Sequence, residues 1–154
     1  MKNESERIAD QLKRAFDGEA WHGPSLREAL EGVTAAQAVA KPIPGAHSIW
    51  EIVRHIAGWD GVVARRLGGE AVSEPPEGDF PPAPAAASEA EWAALIARAF
   101  AAHDRLVAQV AALTETDLRR RIDEKPYPAW FMAHGIVGHA LYHVGQIVLL
   151  KKVC

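Results

Sequence analysis

The chain has 154 residues, long enough for one domain with a proper core, and a net charge of −3 at neutral pH. That charge offers no basic field to attract nucleic acid or an anionic membrane, so neither is expected as a partner. One cysteine, Cys154, excludes an internal disulfide and agrees with a reducing cytoplasm.

The N-terminal stretch MKNESERIADQLKRAF holds acidic residues and no apolar run, so no export signal is expected. Ile8, Leu12, Ala15 and Phe16 recur at helical spacing, with Glu6, Arg7, Lys13 and Arg14 on other faces. This predicts an amphipathic helix from about Glu4 to Asp17. Trp21-His22-Gly23-Pro24 interrupts it. Pro24 suits a first helical turn, and a helix continues through Leu26 to Leu30. Thr34-x-x-Gln37 predicts a capping box for another short helix. Lys41-Pro-Ile-Pro-Gly45 is a loop.

Ser48-Ile-Trp-Glu51 is a stronger capping box, opening a second long helix that runs to about Leu67. Its apolar stripe is Ile49, Ile52, Val53, Ile56, Val63 and Leu67. His55 flanks that stripe near Trp59, and Asp60 falls inside it, where a carboxylate is unexpected. Gly58 and Gly61 would let another segment come close. Residues 68–87, rich in Gly, Pro and small residues, read as a loop or lid rather than a domain boundary.

Ser88-Glu-Ala-Glu91 caps a third long helix, whose seam is Trp92, Ile96, Ala99, His103, Leu106, Val110 and Leu113. Thr114 to Arg121 predicts a short polar helix. Pro126 and Pro128 set the start of a fourth long helix, and Lys151 and Lys152 suit its end. Between Ala129 and Leu150 this helix has no charged residue except histidine. Its three His, a Gln and three Gly argue against a membrane span. The composition and spacing together predict an all-α protein, an up-down-type four-helix bundle forming a single domain over residues 1–154. The last helix is apolar nearly all round, which predicts a homodimer.

The uncharged helix carries the most informative residues. His139 and His143 are i and i+4, so they project from one face about a turn apart. That spacing lets a single helix offer two nitrogen ligands to one metal ion. His55, on the apolar flank of the second long helix, is the third candidate ligand. Tyr142, Gln146 and Asp60 are available to orient the imidazoles. Three neutral imidazoles leave a divalent ion an open position, which lowers the pKa of a bound water or thiol. Such a ligand set suits zinc, nickel, copper or iron. His134 points away from the pair and reads as a packing or capping residue. His22, His47, His103 and Asp60 are candidates to orient ligands or move protons, with His22 and His47 expected near the mouth of the site and Trp59 as a wall.

His-Ser-Ile-Trp-Glu-Ile-Val-Arg-His (47–55), followed by His-Gly-Ile-Val-Gly-His-Ala-Leu-Tyr-His-Val-Gly-Gln-Ile (134–147), resembles the DinB/YfiT-like family of proposed metalloenzymes. The resemblance covers nearly the whole chain. It implies a four-helix bundle, often dimeric, with a metal triad of one His from the second helix and an HxxxH pair from the last. Those fall on His55, His139 and His143. It also implies a function: thiol-dependent S-transferase or hydrolase chemistry on a small molecule, with zinc or nickel, or iron, and a low-molecular-weight thiol as cofactors. The alternative expectations are a non-catalytic metal-binding stress-response bundle, and a structural dimer whose histidines make ordinary core hydrogen bonds.

Overall fold

A computed structural model describes residues 2–122 and 125–154. It contains seven helices and no strand among those residues: α1 (Glu4–Phe16), α2 (Leu26–Leu30), α3 (Ala35–Val39), α4 (Ile49–Leu67), α5 (Glu89–Ala111), α6 (Glu115–Arg119) and α7 (Ala129–Lys151). No helix is long and apolar enough to cross a membrane among the described residues.

Local chemistry sets the helix starts. Ser48 and Ser88 accept from the backbone N–H of Glu51 and Glu91, whose carboxylates return to the serine N–H, as the spacing predicts. The same reciprocal box opens α3 at Thr34, and also α1 at Asn3, α2 at Ser25 and α6 at Thr114. Pro24 therefore lies one residue before the Ser25 cap rather than in the first turn. Only α7 starts without a side-chain cap; Pro128 holds its N-cap position.

The four long helices pack in a ring: α1 on α5, α5 on α4, α4 on α7, and α7 back on α1. Among the four long helices, chain-successive ones are thus neighbours only at α4 and α5. The α1–α4 and α5–α7 connections cross the ring, where a simple up-down succession would keep every consecutive pair side by side. The core divides along the bundle. One cluster, around Phe16, Ile52, Ile56 and Ile147, underlies α2 and α3. The other, around Ile8, Leu12, Leu106 and Ile136, packs against α6. Along α5 the buried face includes Leu95, Ala102 and Val107, while Ile96 is only half-buried, so the face is wider than a strict heptad seam.

The segment between α4 and α5 lies along α4 as a strap. A Cβ at Gly58 would meet the ring of Pro75 at 3.0 Å, so glycine there permits the close approach. Gly61 has nothing within 4 Å of its would-be Cβ and serves no such purpose. Arg54 anchors the strap through Glu77 and the carbonyl of Pro82. Buried Glu51 accepts from the backbone N–H of Ala83. Burial pushes the Glu51 carboxyl up, but Lys41 and the N–H groups of Ser48 and Ala83 outweigh that and hold its pKa at about 2.

Candidate metal centre

His55 on α4 and His139 and His143 on α7 meet where these two helices pack. One nitrogen from each ring lies within 4.8 Å of the other two. The strap and α7 fix which nitrogen faces inward. His55 Nδ1–H donates to the backbone carbonyl of Asp79 at 2.8 Å, with the Asp79 carboxylate at 3.2 Å. His143 Nδ1–H donates to Gln146 Oε1 at 2.6 Å. Each bond places the proton on Nδ1 and leaves the Nε2 lone pair free.

His55 Nε2 and His139 Nε2 lie 2.8 Å apart. Two lone pairs at that distance repel unless a proton or cation lies between them. His139 Nδ1 is buried with no partner among the described residues. Burial, with His143 and His55 beside it, lowers the His139 pKa to about 4, and burial also lowers those of His55 and His143. All three rings are therefore neutral near pH 7, the form that binds metals. The donor set fits a divalent ion: three neutral imidazoles, two of them oriented through Nδ1.

The triad forms one wall of an open cavity of about 610 Å³, within the range of small-molecule sites. Phe80 from the strap lies parallel to His55 at 3.8 Å, and His47 lies parallel to Phe80 at 3.7 Å, giving a three-ring stack. Trp59 donates its indole N–H to Asp79 Oδ1 at 2.7 Å and closes another side. Tyr142 stands at the rim, exposed, with its ring 5.0 Å from that of His143.

The other candidates fall in different places. His47 does line the cavity, and Trp59 is a wall. His22 is exposed beside the fully exposed Trp21 and lines no part of the cavity. Asp60 and His103 pair with each other at 2.8 Å, both buried. His103 Nε2–H donates to the Leu12 carbonyl at 2.9 Å, and the ring stacks on Phe16 at 3.3 Å. They join α1, α4 and α5 and touch none of the triad, so they do not orient its imidazoles. The reason is helical phase: Asp60 is five residues after His55 and points at α5 rather than α7. His134 pairs with Glu4 at 3.0 Å and ties α7 to α1. Asp79 and Phe80 were not singled out from sequence. Their only signal was a lone acidic-aromatic pair inside a Pro-rich loop.

The family model of the DinB superfamily matches residues 20–147. The chain belongs to this superfamily, and its structure brings together a histidine cluster that could hold a metal ion. No curated protein matches the chain. No solved structure matches it either.

Proposed function

We propose that the chain is a divalent-metal-dependent enzyme of the DinB/YfiT-like kind, a thiol-dependent S-transferase or a hydrolase acting on a small molecule. His55, His139 and His143 would hold the ion, zinc or nickel, with iron as the further candidate. The observation that carries the reading is the convergence of three neutral imidazoles on the wall of a reachable 610 Å³ cavity. A metal store or a structural dimer has no use for that space.

An ion held there with an open position would lower the pKa of a water or a low-molecular-weight thiol. The chain's own residues do the rest. Asp79 and Gln146 hold two rings in register, Phe80 and Trp59 exclude water from one side, and His47 at the rim is placed to accept or release a proton. Of the four candidates for that role, His47 is the one that lines the cavity.

Two finer assignments belong to the same reading. The closed ring of α1, α5, α4 and α7 supports an up-down-type four-helix bundle with crossing connections. A homodimer through α7 is supported by Gly138, Tyr142, Gly145 and Leu149. These alternate in steps of four and three, are all exposed, and carry no charge.

The test is elemental analysis of untagged protein purified without chelator. About one zinc, nickel or iron per chain is expected, lost in His139→Ala with the helical dichroism retained. Metal content unchanged in that variant removes the triad. A metal-loaded protein that transfers no thiol and hydrolyses nothing across a broad panel favours the non-catalytic alternative.

A further inference from the structure

A second cavity of about 220 Å³ lies between α4 and α7 and shares Trp59 and His139 with the first. Its walls are mostly apolar, formed by Val63, Phe131, Met132 and Ile136. One charged group lines it. Arg66 is 6% exposed, and its Nε and Nη2 donate to the carbonyls of Val72 and Ser73 at 2.7 and 2.6 Å. Its guanidinium carbon is 5.6 Å from the Trp59 ring.

Among the described residues Arg66 forms no ion pair, and its Nη1, which makes no hydrogen bond, is not a buried atom but an accessible one. A guanidinium is always ionised, and burying it without a counter-charge is costly. Two carbonyls and the C-terminal end of α4 offset part of that cost. What is left is an accessible Nη1–H on a fixed, mostly buried cation, at the edge of an apolar space that also reaches His139.

We propose that this groove binds the substrate, and that the substrate is a small organic acid with an aromatic or branched apolar body. Its carboxylate pairs with Arg66, its body lies between Val63 and Ile136, and its reactive end is presented at His139. The proposal rests on the metalloenzyme reading for what happens at that end, but not for binding. The size agrees: an apolar cavity of about 150 Å³ accommodates benzene, and 220 Å³ admits a ring with a short acidic arm. Arg rather than Lys fits a carboxylate in two-point fashion.

The test uses the full chain, metal-free and zinc-loaded, with phenylacetate and its neutral counterpart phenylacetamide as probes in calorimetric titration. Phenylacetate is expected to bind at least tenfold more tightly than the amide in both preparations. Arg66→Met should abolish that preference. Gly135→Leu should abolish binding of both probes. Gly135 lines the groove, and a Cβ there meets nothing within 4 Å, so the added side chain can fill the space without disturbing the helix. Equal affinity for the two probes overturns the proposal, as does a preference that survives Arg66→Met or binding untouched by Gly135→Leu. If Arg66→Met fails to fold, the acid-amide comparison and Gly135→Leu decide. Loss of the metal reading would show in elemental analysis with probe binding intact, so the two failures are distinct.

Discussion

Gln146 allows the sharpest test of how the triad is held. Its Oε1 accepts from His143 Nδ1 at 2.6 Å, and His143 is buried. In metal-free protein, loss of this acceptor can be relieved, because the His143 proton can move to Nε2 and face the open cavity. With a metal on Nε2 that escape closes, and Nδ1–H is left buried and unpaired. Such an orphaned donor costs about 1–3 kcal/mol, and measured losses of outer-sphere partners are about 10–100-fold in affinity. The two estimates agree. Gln146→Met should therefore weaken zinc binding by roughly 10–100-fold, while Gln146→Glu, which restores a stronger acceptor, should hold or raise it. Zinc competition against a chromophoric chelator at pH 7.5 measures both. Gln146→Met with wild-type affinity would refute the assignment of Nε2 as the inward nitrogen of His143.

The Asp60–His103 pair is separable from the triad. Asp60→Leu should cost about 1–3 kcal/mol by stranding a buried imidazole nitrogen, a fall of roughly 2–12 °C at this chain length. The double variant Asp60→Leu, His103→Leu should recover most of it, and metal content should not change; additive losses in urea denaturation would disprove the coupling. Acid should destabilise the metal-free protein in two windows. His139 titrates near 4 in the folded chain against an ordinary 6.5, so the unfolded chain binds the extra proton first, and the stability present above pH 6.5 falls as pH drops toward 4. Glu51, held at about 2 against 4.5, contributes stability present above pH 4.5 and lost toward pH 2. Melts of His139→Ala should show a shallower first window, to which His55 and His143 still contribute, and those of Glu51→Gln a shallower second; unchanged profiles would contradict the assignment. Gly138→Arg, on the exposed apolar stripe of α7, should give a monomer by analytical ultracentrifugation, and a persisting dimer would move the interface elsewhere.

What could be read from the chain divides by how local the determinant is. The cap at Ser48, the uncharged α7 and the HxxxH spacing each lie within one helix, so residue type and phase suffice. Three further capping boxes, at Asn3, Ser25 and Thr114, are equally local. Asp60 is anomalous within its apolar stripe, but the stripe does not identify its partner. A stripe position says that a carboxylate is buried, not which neighbouring helix receives it, and the ring order that puts α5 against it is set by packing.

The strap is the clearest case of non-local determination. Asp79 orients His55 through a backbone carbonyl, an atom every residue possesses, so no residue type could have marked it. Phe80 is legible only once the strap is known to lie along α4, and that depends on Pro75 seating against Gly58 at the limit of contact. The glycine was visible from the start, whereas the segment approaching it was not. A Cβ at position 58 should therefore act at a distance. By lifting Pro75 it would loosen Asp79 from His55, so Gly58→Ala is expected to weaken the metal site through a residue that touches none of its ligands.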